Sequence, residues 1–281
     1  MNKFFIITRK LEKNREKVEL LQNIIKELGG ESDYIESPPD ESKEDVSVPE
    51  GTECIITVGG DGTLIGAART TGKSGIPLIG MNRGHLGYLC EFGEENAKDA
   101  IARLIRDEFE TEKRMMIEGF IEDENGNISN RAVSLNDIVI TAGNNLSVVR
   151  LTVCVNGKYL YSYLCDGMIF STPTGSTAYN LSANGPIVDP KTSVILLTPI
   201  NAHTLNSRSI VLDKDDEVTV ELEKRRSTKK ETGLVRFDGK NVKEIALGEK
   251  LHVRKADEET KIIMLQKMNF LERMSKKLQA D

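Results

Sequence analysis

The strongest constraint on the fold is a change of rhythm near residue 111. Before it, apolar runs alternate with helical periodicities. Residues 3–8, KFFIIT, read as a first strand. Over 12–28, Val18, Leu21, Ile25 and Leu28 recur at helical spacing, and Gly29-Gly30 closes the segment as a C-cap. Residues 54–58 read as a second strand, 63–70 as a short helix and 76–80 as a third strand. Ala97, Ile101, Leu104 and Ile105 mark a further helix running to 109. The stretch 31–53 is rich in Glu, Asp, Ser and Pro and reads mostly as loop. Strands alternating with helices predict a parallel, Rossmann-like sheet in an α/β layer.

After 111 the pattern becomes one of short alternating runs. Asn125-Gly126, Asn156-Gly157 and Asp238-Gly239 each fall between β-type segments. Such pairs favour the type I′ hairpin, whose two central residues need positive φ. A β-rich domain built as an antiparallel sandwich is therefore expected over 111–265, interrupted by a helical stretch at 176–182. The tail, 268–278, carries Leu271, Met274 and Leu278 at helical spacing. It predicts a final helix returning to the first domain. The expected division is 1–110 plus 266–281 for the α/β domain and 111–265 for the β-rich one, and 281 residues suffice for both.

Composition narrows the function. A net charge of −6 argues against nucleic acid as a partner, which calls for a basic face. No apolar run reaches the ~18 residues of a membrane span, so no membrane association is expected. Cys54, Cys90, Cys154 and Cys165 are scattered without a C-x-x-C pair, which suits free thiols in a reducing cytoplasm. His85, His203 and His252 lie far apart and form no metal-ligand spacing, so no protein metal site is expected. The histidines read as structural.

Two stretches carry chemistry. Val58-Gly59-Gly60-Asp61-Gly62-Thr63 leaves a buried strand and enters a helix. Its glycines bring backbone N–H groups to a ligand with no Cβ in the way. N–H groups at a strand exit before a helix N-terminus form an anion nest. A carboxylate there would repel a phosphate unless it takes a proton from an attacking hydroxyl or holds a cation. Phosphoryl transfer to an alcohol uses such a group. For Asp-Gly alone, an Asx-turn is the plainer alternative. The nearby GAARTTGKS, 66–74, is not a P-loop: five residues separate its glycines and its Gly-Lys-Ser follows a helix. The second stretch runs from Asp166 through Thr172-Pro173-Thr174-Gly175-Ser176-Thr177-Ala178-Tyr179 to Ser182. Alone it fits a capped helix in a β domain as well as a ligand pocket.

Together the two stretches resemble the NAD kinase family. Leu135-Asn136-Asp137 matches its Asn-acid pair, and residues 81–89, MNRGHLGYL, are similar to its Asn-x-Gly-x-Leu-Gly-Phe-Leu segment. The resemblance covers almost the whole chain. It implies an α/β domain, a β-rich domain, NAD bound between them, and phosphorylation of the 2′-hydroxyl of the adenosine ribose. The donor would be ATP or polyphosphate with a divalent cation, magnesium by expectation. Carried over, Asp61 is the general base and Gly62 packs on the dinucleotide. Gly59, Gly60 and Thr63 cradle the donor phosphates. Asn136 and Asp137 hold the adenosine half, and Asp166 bonds the nicotinamide side. Thr177, Ala178, Tyr179, Asn180, Leu181 and Ser182 line the NAD pocket. The family's habit implies a homo-oligomer, dimer or tetramer. Leu164, Lys240 and Asp137 stand where relatives often have Arg, Gln and Glu. A lipid or sugar-alcohol kinase shares the glycine-acid loop and is the alternative.

Overall fold

The computed structural model describes residues 1–36, 46–82, 87–143, 148–203, 207–223, 232–265 and 270–278. The chain forms two compact units, Met1–Arg114 with Glu258–Asp281, and Met115–Asp257. Sequence reading put these divisions at 110/111 and 265/266.

In the first unit, β1 (Lys3–Thr8) leads through α1 (Leu11–Glu27) to β2 (Glu31–Glu36). Then follow β3 (Cys54–Val58), α2 (Asp61–Thr71), β4 (Leu78–Met81), β5 (Cys90–Phe92) and α3 (Ala97–Ile105). The strands pair in parallel in the order β5-β4-β3-β1-β2. All five residues of β3 are buried, as a parallel strand covered on both faces requires. Phe4, Ile6, Ile56, Ile79, Leu21 and Ile101 share one core. Each such side chain contributes about 1.5–3 kcal/mol on burial. The Asn14 side chain donates to Thr8 Oγ1 at 2.6 Å and to the Val58 carbonyl at 3.3 Å. That ties α1 to the carboxyl ends of β1 and β3. The order reverses between those two strands, and the crevice at their carboxyl ends is where open α/β sheets take ligands.

The strand β2 corrects the expected loop. It pairs with β1 from Lys3↔Glu31 to Thr8↔Glu36, yet its side chains are mostly exposed. An edge strand wet on its side chains needs no apolar pattern, so its composition hides it.

The chain passes into the second unit within β6 (Glu110–Glu122). There follow β7 (Ile128–Ser134), β8 (Asp137–Ala142), β9 (Val149–Val155), β10 (Lys158–Cys165) and β11 (Gly167–Ser171). After the one-turn helix α4 (Tyr179–Ser182) come β12 (Val194–Ile200), β13 (Ile210–Asp213), β14 (Val218–Leu222), β15 (Thr232–Phe237), β16 (Lys240–Ala246) and β17 (Lys250–Met264). One antiparallel sheet runs β13-β12-β11-β8-β15-β16. Facing it, β10-β9-β14-β17 pair antiparallel, with β6 joining β17 and β7. Ile138, Met168, Phe170 and Phe237 of the first sheet share a core with Leu151, Val153, Val220 and Leu251 of the second. This is the packed-face architecture of a sandwich. Within β17 the chain returns to the first unit, where Ile262 pairs with Leu78 in parallel and Ile263 enters the first core. The last helix, α5 (Phe270–Leu278), also belongs to the first unit.

The turns follow the dipeptides unevenly. Asn156-Gly157 and Asp238-Gly239 both have positive φ at each residue, as type I′ demands. At Asn125-Gly126 only the glycine does. There Asp123 Oδ1 accepts the N–H groups of Asn125 and Asn127, which sets a longer turn.

Candidate active site

In the first unit, the candidate residues lie at the exit of β3. Gly60 caps α2 and Asp61 is its first residue, half-buried. Gly60 and Gly62 are exposed, so backbone at a helix N-terminus faces outward without side chains. The N–H of Gly59 is already taken by the Met81 carbonyl at 3.0 Å. Gly59 serves closeness instead: a Cβ there would collide with the Thr63 hydroxyl. Thr63 is buried and its N–H bonds the Gly60 carbonyl at 2.8 Å.

The Asp61 carboxylate is held by backbone. Oδ2 accepts the Tyr88 N–H at 2.7 Å, and Oδ1 accepts those of Leu89 at 3.2 Å and Cys90 at 3.3 Å. A carboxylate offers about four acceptor positions, and the described residues fill three of them. Gly87 closes over the same group, since a Cβ on it would overlap the Asp61 carboxylate. Residues 83–86, within the MNRGHLGYL segment and including His85, lie outside the described residues. Gly87→Ala is expected to push Asp61 aside and lower turnover about a hundredfold. Its thermal unfolding should stay near wild type; steady-state rates beside a melting curve check this.

In the β-rich unit, a separate group of candidate residues gathers around residues 135–137 and 172–182. The expected helix at 176–182 is two pieces, a 3₁₀ turn at Thr174–Thr177 and α4, broken at Ala178 with φ −99° and ψ −128°. Thr172 Oγ1 donates to the Leu135 carbonyl at 2.6 Å and accepts the Gly175 N–H at 3.1 Å. The Thr172 N–H bonds the Asn136 carbonyl at 2.9 Å, and a Cβ on Gly175 would overlap that same carbonyl. The Pro-Thr-Gly turn thus seats directly on the Asn136-Asp137 pair. Asn136 Oδ1 is buried with no hydrogen-bond partner among the described residues, an acceptor that a ligand donor would satisfy. Asp137 is 5 % exposed. Burial first, and the charge of Asp238 second, push its carboxyl up to about 7.

Tyr179 and Ser182 line a cavity of about 640 Å³ with Asn184, Asn201, Ser207 and Arg208. The Asp166 carboxylate accepts Asn201 Nδ2 at 2.9 Å, which brings it to the same wall. Thr177, Ala178 and Leu181 are half-buried beside this turn. Asn180 is wholly buried, and its amide is spent internally. Nδ2 donates to the Ser176 and Pro186 carbonyls at 3.3 and 3.0 Å, and Oδ1 accepts Thr198 Oγ1 at 2.7 Å. Its side chain braces the turn.

Several residues escaped sequence reading. Arg9, just past β1, places Nη1 3.7 Å from where a Gly62 Cβ would stand. A cation at the end of the neighbouring strand was the available signal. Ser207 and Arg208 had none beyond polarity. The Asp61 clamp comes from backbone and leaves no residue-type mark.

Other groups stay out of the chemistry. His252 stacks on Phe120 with centroids 4.8 Å apart, and its Nδ1 lies 2.9 Å from Glu217. Burial raises the Cys54 thiol strongly and the Cys165 thiol to about 12, so neither is a ready nucleophile. Among the described residues, no three metal-ligating side chains converge, and no helix is long and apolar enough to cross a membrane.

An α/β unit with a glycine-acid loop, joined to a β-sandwich carrying an Asn-acid pair, defines a phosphotransferase of one particular build. Residues 7–109 match the ATP-NAD kinase N-terminal domain and residues 135–265 the ATP-NAD kinase C-terminal domain. The NAD kinase of Agathobacter rectalis is 46% identical over 87% of this chain and 85% of its own length. That of Lachnoclostridium phytofermentans is 38% identical over 96% of each. The chain belongs to the NAD kinase family. Two solved structures share the fold. Yeast NADH kinase complexed with NADH superposes with a TM-score of 0.87 at 21% identity, covering 99% of this chain and 88% of that one. An Archaeoglobus fulgidus NAD kinase in complex with ATP gives 0.75 at 22%, covering 97% and 96%. These relatives are kinases of a dinucleotide, and none of them points to the lipid or sugar-alcohol acceptor that the loop alone allows.

Proposed function

We propose that this NAD kinase takes magnesium-bound ATP as donor and carries out the transfer with Asp61 as general base. The proton of the ribose 2′-hydroxyl passes to the Asp61 carboxylate. The hydroxyl oxygen then bonds the γ-phosphorus as the bond to the β–γ bridging oxygen breaks, giving NADP and ADP. The observation that carries this reading is the Asp61 carboxylate at the mouth of α2, fixed by three N–H groups that leave one acceptor position open among the described residues.

Gly60 and Gly62 would present backbone to the donor phosphates, with Gly59 and Thr63 shaping the loop and Arg9 adding positive charge. The magnesium belongs to the nucleotide as substrate. In the second unit, Asn136 and Asp137 would hold the adenosine half. Tyr179 and Ser182 would wall the pocket with Asp166 and Asn201, Tyr179 stacking on a ring. Asn180 supports this turn from beneath. A homo-oligomer in the cytoplasm completes the reading. It is supported by the free thiols and by the edge strand β10, whose Tyr159 and Tyr161 are exposed.

The test is a coupled assay. Purified protein is incubated with NAD and magnesium plus either ATP or polyphosphate, and product is read with an NADP-specific dehydrogenase. Signal with ATP supports the donor assignment; signal with polyphosphate alone would replace it.

A further inference from the structure

The Asn136-Asp137 pair does not hold its own shape. Its backbone is gathered by a carboxylate about a hundred residues away in sequence. Asp238 Oδ1 accepts the N–H groups of Asn136 at 2.8 Å and Asp137 at 3.1 Å, and Oδ2 accepts that of Leu135 at 3.1 Å. The Asp238 N–H returns a bond to the Asp137 carbonyl at 2.9 Å. Three consecutive N–H groups converge on one charged acceptor, each bond stronger than a neutral one.

The placement carries a cost that a merely structural turn would avoid. The same carboxylate lies against the buried Asp137 and opposes its ionisation. An asparagine or glycine would satisfy the type I′ geometry at this position without that repulsion. The opposite side of the pair is fixed as well, by Thr172 on the Leu135 carbonyl and by Gly175 against the Asn136 carbonyl. Between these supports, the buried Oδ1 of Asn136 finds no partner among the described residues.

We infer that Asp238 is a positioning residue for the dinucleotide: it fixes residues 135–137 so that the Asn136 and Asp137 side chains are set for NAD before NAD arrives. This rests on the proposed NAD-holding role of that pair and names the group that prepares it. The gain is affinity, because the ordering is done before binding.

The backbone supplies a clean pair of variants. Asp238 sits at φ 50°, which glycine and asparagine tolerate and alanine does not. Asp238→Gly keeps the turn and removes both carboxylate oxygens, and with them the three bonds to residues 135–137. Asp238→Asn keeps an oxygen for Asn136 and Asp137 and loses the acceptor for Leu135. NAD and magnesium-ATP affinities of the full chain are measured by calorimetry, with thermal unfolding alongside. Asp238→Gly is expected to weaken NAD binding at least about tenfold, and Asp238→Asn by about threefold, the worth of lost charge-assisted bonds. ATP affinity should be unchanged in both. Wild-type NAD affinity in Asp238→Gly, or a parallel fall in ATP affinity, would overturn the inference. A wild-type chain that binds NAD but forms no NADP would count against the kinase mechanism, while the affinities would still decide the role of Asp238.

Discussion

Asp61→Asn is expected to lower NADP formation about a thousandfold, the scale of a lost general base. Asparagine is nearly isosteric, and its carbonyl can still accept the Leu89 and Cys90 N–H groups that now meet Oδ1. What it cannot do is take a proton. Its amide also faces the Tyr88 N–H, so one of the three bonds is lost. NAD and ATP should therefore still bind within a few-fold of wild type, with the loss falling on kcat. Rapid-quench measurement of the transfer step checks this. A variant turning over at the wild-type rate would remove Asp61 from the chemistry and leave it as the first residue of α2.

The second large effect concerns stability, and its sign is opposite to that on activity. The Asp137 carboxyl titrates near 7 in the folded chain against an ordinary 3.8. A group whose folded value is raised lends stability below its unfolded value and loses it as pH rises toward the folded one. Wild type should therefore lose about 4 kcal/mol from this residue between pH 4 and pH 7, at roughly 1.4 kcal/mol per unit. Above that the contribution is flat. Asp137→Asn has no charge to bury, so it should unfold later than wild type at pH 8 and close to wild type at pH 4. Its affinity for NAD should fall. Denaturant unfolding at the two pH values measures the difference. An equal gain at both, or a loss at pH 8, would mean that Asp137 is not held against its charge. The proposed NAD-holding role gives a reason for keeping such an acid, since stability often yields to function at binding sites.

How much of this was legible follows from how far each signal reaches along the chain. The parallel sheet was readable because β1, β3 and β4 are buried and apolar, flanked by helices with a clear stripe. The sandwich was readable from its turns, since Asn156-Gly157 and Asp238-Gly239 take positive φ. β2 was lost because an edge strand writes no apolar pattern. At the candidate site, Gly60, Asp61 and Gly62 stood out by residue type at a strand exit. The two carboxylate clamps did not. Asp61 meets backbone 27 to 29 residues away, and Asp238 meets backbone 101 to 103 residues away. A backbone N–H carries no residue identity, so no spacing rule finds it. Asp238 was visible as half of a turn and as the first residue of the family's Asp-Gly-Gln, while its bonds to residues 135–137 appear once β15 lies beside β8. Asn180 shows the converse. It sits inside a motif read as a pocket wall, yet its amide is consumed by Ser176, Pro186 and Thr198.

The most direct measurement is the identity of the product. The protein is incubated with NAD, ATP and magnesium, and the dinucleotide product is isolated and examined by phosphorus and proton NMR. A new monoester phosphate on the 2′-oxygen of the adenosine ribose is expected, formed in step with ADP and absent with Asp61→Asn. Phosphate on another hydroxyl, or ATP consumed with NAD returned unchanged, would contradict the assignment of Asp61 and its loop to this reaction.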